Sequence, residues 1–222
     1  MDVRVVDGAN AVAAELQATR VDPNKPLIVG IGGAVGGTSS TEHALRAALR
    51  AAEDSGARTR LFGGDAIASL PFYNPKNRNR SAEELAFVQA VRDAHGLIIA
   101  SPGYHGGISG VIKNALDLIE ETARDEARVY LTDMPVGIIA TAYGWQATGS
   151  TIAALRSIVH AFRAWPTPYA AAVNTSQSGF DPLTGESSLE VVQQLTMVGR
   201  QVAQAALAWG NASVGKRGAN AS

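Results

Sequence analysis

Ser101-Pro102-Gly103-Tyr104-His105-Gly106-Gly107-Ile108-Ser109-Gly110-Val111-Ile112-Lys113-Asn114-Ala115-Leu116-Asp117 is the stretch that decides how the chain is read. Before it runs Gly96-Leu97-Ile98-Ile99-Ala100, which is short, apolar and uncharged, the pattern of a strand buried on both faces. After it the spacing changes. Ile108, Val111, Ile112, Ala115, Leu116 and Ile119 recur at helical intervals, which predicts a helix from Ile108 onward. Between strand and helix lie clustered glycines and two ring side chains, Tyr104 and His105. A strand, a Gly-rich loop and a helix in succession build the crevice at the carboxyl edge of an open α/β sheet. The glycines let backbone approach a flat ligand, and amides at the helix start can donate to it.

The bulk properties agree with one such sheet. A chain of 222 residues with 46% hydrophobic and 18% charged residues has the size and balance of a single globular α/β domain. A net charge of −1 provides no field to draw nucleic acid. The chain has no cysteine, so disulfides, thiolate catalysis and Cys-based metal sites are excluded. No run of about 18 apolar residues is present to span a membrane, and no basic-then-apolar leader pattern opens the chain. The expectation is a cytoplasmic protein with no nucleic-acid or membrane partner. Its expected organisation is an extension over residues 1–25, a ligand-binding domain over 26–210 and a flexible tail over 211–222.

Outward from the central stretch, 27–31 reads as the first buried strand and runs into Gly32-Gly33-Ala34-Val35-Gly36-Gly37-Thr38-Ser39-Ser40-Thr41, with a helix over 44–52. Val35 breaks the dinucleotide fingerprint counted from Gly30 and Gly32, and Thr38 stands where a triphosphate loop needs Lys. Loop amides with Thr38, Ser39, Ser40 and Thr41 suit a single phosphate monoester. Ser and Thr are ordinary helix N-caps, but four hydroxyls in a row exceed what a cap needs. Residues 58–62 read as an edge strand and 63–79 as one long loop, in which Pro71-Phe72-Tyr73 reads chiefly as packing. Lys76, Arg78 and Arg80 suit either a dinucleotide phosphate or solvent. Ser81-Ala82-Glu83-Glu84 is a capped helix start, the helix reaching about Ala94. Residues 135–141 form another buried strand ending in a second ring-bearing loop, Ala142-Tyr143-Gly144-Trp145-Gln146-Ala147-Thr148-Gly149. A helix over 152–162, a strand over 169–173, a polar loop over 174–185 and a last helix over 187–209 complete the chain.

Five βα units of this kind fit a flavodoxin-like three-layer sandwich, a five-stranded parallel sheet in the order 2-1-3-4-5 with helices on both faces. In that topology a flavin mononucleotide sits where the winding reverses, between strands 1 and 3. The two ligand-like loops follow those strands, and a third follows strand 4.

The motif Ser101-Pro102-x-Tyr104, followed by Ser109-Gly110-Val111-x-Lys113-Asn114-Ala115-Leu116-Asp117, resembles the NAD(P)H-dependent FMN reductase family over about residues 27–209. Its Ser-Pro-x-Tyr form is similar to the branch that supplies reduced flavin to two-component monooxygenases. The resemblance implies FMN as cofactor and NADH or NADPH as hydride donor. It implies that Gly36, Gly37, Thr38, Ser39 and Ser40 hold the FMN phosphate. It further implies that Pro102, Gly103, Tyr104, His105, Gly106 and Gly107 border the isoalloxazine ring, with Thr141, Tyr143, Gly144 and Trp145 along its other edge. Many members carry an Arg in the first loop, where this chain has Ala34 and Val35; Gly103 and His105 replace the usual Glu and Asn.

The implied chemistry is hydride transfer from nicotinamide to flavin, then electron release to a flavin or quinone acceptor or through a monooxygenase partner. Hydride transfer needs ring stacking rather than an acid or base. The chain has no Ser-His-Asp or paired-carboxylate pattern, and its four His have no metal spacing, so no metal is expected. His105 is the one His in a candidate site, a possible donor to reduced flavin. Lys113 and Asp117, four apart on a helix, read as an ion pair. The alternatives are an FMN-containing quinone or azo reductase, a flavodoxin-type carrier without a dinucleotide site, and a flavin-free binding module. The near-neutral charge argues against a carrier. The resemblance implies a homodimer or homotetramer, with Trp165, Pro166, Pro168 and the 63–79 loop as interface candidates.

Overall fold

The apolar runs form Leu27–Gly32 (β1), Arg58–Phe62 (β2), Gly96–Tyr104 (β3), Gly107–Ile108 (β4), Pro135–Ala142 (β5) and Trp165–Asn174 (β6) in the computed structural model. The structure describes residues 25–36, 39–177, 179–181 and 184–219, and of 210–219 the backbone alone. The main strands are all parallel in the order β2-β1-β3-β5-β6, which is the expected 2-1-3-4-5 pattern; β4 is a short return strand, antiparallel to β3. Helices Ser40–Asp54 (α1), Gly64–Ala68 (α2), Ala82–Asp93 (α3), Gly110–Asp117 (α4), Trp145–Ala161 (α5) and Leu189–Ala219 (α6) cover the two faces, with a 3-10 turn over Leu118–Thr122. No helix among the described residues is long and apolar enough to cross a membrane.

Strand alternation divides the core in two. Val29, Ile31, Leu97 and Ile99 point to one face, where they meet Phe87, Val91, Ile112 and Leu116. Ile28, Ile98 and Ile139 point to the other, against Leu45, Ala48, Val198 and Val202 of α1 and α6. The helices α1 and α6 touch closely enough that a Cβ at Gly199 would stand 2.0 Å from the Ala48 carbonyl oxygen. Burial on both faces is why the central strands read as uninterrupted apolar runs.

Several boundaries differ from the sequence reading. The helix expected from Ile108 begins at Gly110, because Ile108 pairs with Gly103 in the β3–β4 hairpin and Ser109 is the N-cap. The long loop expected over 63–79 contains α2. The helix expected over 152–162 starts at Trp145. Its first turns bury Thr148 and Thr151 rather than large apolar residues, so hydrophobic periodicity did not reveal them. The strand expected over 169–173 starts at Trp165. It is an edge strand with a register shift between Val136 and Ile138 of β5, where Pro166 and Pro168 are tolerated. The last helix runs to Ala219 rather than stopping at Trp209, so most of the expected 211–222 tail is helical backbone. The expected extension falls on residues 1–24, outside the described residues, apart from Lys25.

Candidate functional site

The central stretch folds into a tight β-hairpin. Gly103 pairs with Ile108 and Tyr104 with Gly107, leaving His105-Gly106 as a two-residue tip with φ of +50° and +87°. Two consecutive left-handed residues are what a type I′ turn requires, and its twist matches that of the strands. The base of the hairpin is tied by Ser101. Its buried hydroxyl donates to the Pro102 carbonyl (2.9 Å) and accepts from Ser109 N–H (3.1 Å). Alternation then sends Pro102 and Tyr104 to one side and Gly103 to the other. On the Gly103 side the hairpin lies directly on β5 and α5: a Cβ there would stand 2.7 Å from Thr151 Oγ1 and 3.0 Å from the Ala147 carbonyl. Thr151 Oγ1 also donates to the Gly107 carbonyl at 3.4 Å.

The loop after β1 is closed by Ser39. It caps α1, accepting from Glu42 N–H (3.3 Å), and its oxygen also accepts from Ala34 N–H (3.1 Å). Behind this loop the buried Glu42 carboxylate accepts from Gly64 N–H (3.0 Å) and is paired with Arg46 (2.6 Å). The loop and the start of α2 are in backbone contact, since a Cβ at Gly64 would stand 2.1 Å from the Ala34 carbonyl.

Between these loops, α2 and α4, a cleft of about 460 Å³ opens, walled by Val35, Leu70, Phe72, Pro102, Tyr104 and Val111. Tyr104, Ser109 and Asn114 carry polar side-chain groups, and no charged side chain lines it among the described residues.

The expected site residues are distributed as follows. Gly36 (φ +97°) lies exposed in the first loop, Ser39 is the cap, and Ser40 opens α1; Gly37 and Thr38 lie outside the described residues. Pro102 and Tyr104 line the cleft, His105 and Gly106 form the exposed tip, Gly103 faces α5, and Gly107 accepts from Thr151 through its carbonyl while its Cα side borders open space. Thr141 differs from expectation. Its side chain is buried, hydrogen-bonded to Thr41 Oγ1 at 2.5 Å, and offers no edge to a ring. Tyr143 is 83% exposed beyond the end of β5, Gly144 is the extended N-cap of α5, and Trp145 donates to Gln177 Oε1 at 2.9 Å. Tyr143 and Trp145 do not line the cleft. The cleft residues Val35, Ile67, Leu70, Val111 and Asn114 are not among the expected site residues: the four apolar ones carry ordinary packing signals, and Asn114 stands inside the motif without a role of its own. Phe72, expected chiefly to pack, is exposed.

The long loop's cations also resolve. Arg80 is paired with Glu84 (3.1 Å) and Glu121 (2.8 Å), and its hydrogen bond to Glu121 raises its pKa, so this buried guanidinium holds the loop rather than a dinucleotide phosphate. Lys76 and Arg78 are exposed. Burial, with Glu121 and Glu120 nearby, raises the Tyr73 phenol above its usual range. Lys113 and Asp117 pair at 2.5 Å, as their spacing implied. No cluster of three or more potential metal ligands occurs among the described residues.

A cleft and a Gly-rich helix start where the winding reverses between β1 and β3 describe a nucleotide-binding α/β sheet, and the sequence comparison decides which. The family model described as NADPH-dependent FMN reductase matches residues 26–178, more than half of the chain. The chain belongs to this family. Among curated relatives, an NADPH azoreductase of Bacillus sp. strain OY1-2 is 31% identical over 80 residues, 36% of this chain and 41% of that protein. The CrdA subunit of an NADH:(hydroxy)cinnamate reductase of Vibrio ruber is 34% identical over 94 residues, 42% of this chain and 44% of that protein. Each match spans less than half of the relative's length. Among solved structures, the NAD(P)H:(acceptor) oxidoreductase FerB of Paracoccus denitrificans superposes with a TM-score of 0.65. It is 16% identical over 82% of this chain and 97% of that one, a likeness in fold.

The residues present fit the family's FMN. A Cβ at Gly36, Gly106, Gly107 or Gly144 would meet nothing within 4 Å, so the glycine backbone of all three loops borders open space. The start of the 15-residue α1 offers amides and the Ser40 hydroxyl to a phosphate. Glu42, the nearby carboxylate, is already neutralised by Arg46 and the Gly64 amide.

Proposed function

We propose that the protein is an NAD(P)H-dependent FMN oxidoreductase. The observation that carries this reading is an uncharged cleft at the reversal between β1 and β3, lined by Ala34 and Val35 of the loop that leads into α1 and by Pro102 and Tyr104 of the hairpin. Gly36, Gly37, Thr38, Ser39, Ser40 and the first amides of α1 hold the phosphate. The 102–107 hairpin supports the flat ring, with Tyr143, Gly144 and Trp145 beyond it. When bound, FMN supplies the hydride relay from dinucleotide to acceptor. The chain's own part is to hold two rings in contact, about 3–3.5 Å between reacting atoms, and to shield them from water. The tip carries His105, whose ring is free to donate to an anionic ring edge. The protein works in the cytoplasm as a homodimer or homotetramer, and a flavin-dependent monooxygenase or a small oxidant such as a quinone or azo compound takes the electrons.

The experiment is a titration of apoprotein with FMN, followed by anaerobic NADH and NADPH while flavin absorbance near 450 nm is watched. Bleaching faster than a protein-free control is the expected result. Tight FMN binding without bleaching would identify an electron carrier instead, and no FMN binding would overturn the reading.

A further inference from the structure

Trp165 and Trp209 are 59% and 42% exposed, although indole rings gain most from burial. Trp165 opens β6 and pairs with Pro135, the first residue of β5, so it lies at the amino edge of the parallel strands, opposite the glycine loops. Its ring meets that of Trp209, on α6, with centroids 6.3 Å apart and planes inclined at 65°. Its Nε1 donates to Asp133 Oδ1 at 3.2 Å. The two rings and the carboxylate wall a hollow of about 410 Å³, and no cationic side chain lines it among the described residues. Arg163, close by in the chain, is turned onto the Tyr130 ring instead, 5.6 Å from its centre. The corner is held by backbone: Asp133 N–H donates to the Arg163 carbonyl (3.1 Å) and Trp165 N–H to the Met134 carbonyl (2.8 Å). Asp133 and Arg163 are kept in the left-handed region, with φ of +60° and +63°. Non-glycine residues fixed in that region recur at ligand clamps.

We propose that this corner binds a quaternary trimethylammonium group, with Trp165 and Trp209 as its walls and Asp133 as its counter-charge. A cation is attracted to the negative face of an indole ring, and two inclined rings let one cation touch both. The hydrogen bond from Trp165 Nε1 to a carboxylate polarises that ring in the direction that favours a cation. A merely apolar docking patch has no use for a carboxylate beside its rings, because covering Asp133 costs desolvation that only a positive charge offsets. The same walls select among cations. Asp133 is the only acceptor side chain in the described lining, so a primary ammonium would leave N–H donors unpaired, whereas a trimethylammonium head has none to satisfy. The site stands at the opposite edge of the sheet from the FMN crevice, so the group binds whether or not FMN is present.

The test is calorimetric titration of the full chain, at constant ionic strength, with choline, methylammonium and the uncharged carbon isostere of choline, 3,3-dimethyl-1-butanol. Choline should bind about tenfold more tightly than the isostere, and more tightly than methylammonium. Trp165→Ala, Trp209→Ala and Asp133→Asn should each weaken choline binding about three- to tenfold. Trp165→Phe and Trp209→Phe should keep part of it, which covers the case of an alanine variant that does not fold. Equal affinity of the wild type for choline and its isostere would overturn the proposal, leaving an apolar patch. So would no binding of choline up to about 50 mM, or choline binding that ignores Asp133. A sedimentation coefficient that falls in Trp165→Phe or Trp209→Ala would also overturn it, because the tryptophans would then be a contact between copies of the chain. An acetylated trimethyllysine amide titrated alongside assigns the source of the group: tighter binding than choline supports a modified protein chain, weaker binding a free solute.

Discussion

Thr41 and Thr141, one hundred positions apart in sequence, share a buried hydrogen bond of 2.5 Å between their hydroxyls. It joins the first turn of α1 to the carboxyl end of β5, and so ties the phosphate side of the proposed site to the strand beneath its ring side. Thr141→Val leaves the Thr41 hydroxyl buried without this partner and should destabilise the fold by about 1–3 kcal/mol. The double change to Val should cost less than the sum of the single ones, because no polar group is then stranded. Urea unfolding of the three variants measures this. Strict additivity would show that the pair does not interact.

His105 occupies a left-handed backbone position, φ +50°, beside Gly106 at +87°. His105→Gly or His105→Asn should leave stability unchanged or slightly improved, whereas His105→Val should lose about 1–2 kcal/mol. Denaturant midpoints check the order. If Val were tolerated as well as Asn, the turn would be of another type.

Gly64 has no room for a side chain, since a Cβ would stand 2.1 Å from the Ala34 carbonyl. Gly64→Ala should therefore push the β1 loop off α2 and weaken FMN binding as well as stability, although residue 64 is not itself an expected flavin contact. Comparison with Gly56→Ala separates the two effects. Gly56, at φ +94° by the C-terminus of α1, should lose stability without loss of FMN affinity.

His95 accepts the Leu27 N–H through Nδ1 (3.2 Å) at the start of β1, and partial burial, then Arg58 and Arg128 nearby, lower its pKa from the ordinary 6.5. The folded chain thus holds the neutral ring, and the unfolded chain binds the proton more readily. His95 costs nothing above its ordinary pKa. Stability falls as pH drops through 6.5 toward the lower native value, and the loss is complete below it. Urea midpoints between pH 8 and pH 5 should fall less steeply for His95→Gln than for the wild type. Identical slopes would remove His95 as the cause.

Most of the fold was legible because its signals are short-ranged. The run over 96–100 and the alternation of Ile28 with Val29 are read within a few residues, and burial on both sheet faces makes such runs apolar throughout. The capping box at Ser81 and Glu84 was equally local, and the structure contains both of its hydrogen bonds. The start of α5 was not legible, because Thr148 and Thr151 bury polar side chains where periodicity looks for apolar ones.

The candidate site divides along the same line. The amino-acid sequence by itself determined that glycine loops follow β1 and β3 and that a helix comes after each of them. Each of these depends on backbone preferences of neighbouring residues. Tertiary structure alone decided which way the hairpin faces, that Thr141 is spent on Thr41 and Arg80 on Glu84 and Glu121, and that Asn114 brackets Phe72 at the cleft wall. Apart from Arg80–Glu84, four residues apart, these pairings join residues that are distant in the chain. Their side chains meet only once the strand order has brought separate loops to one edge of the sheet.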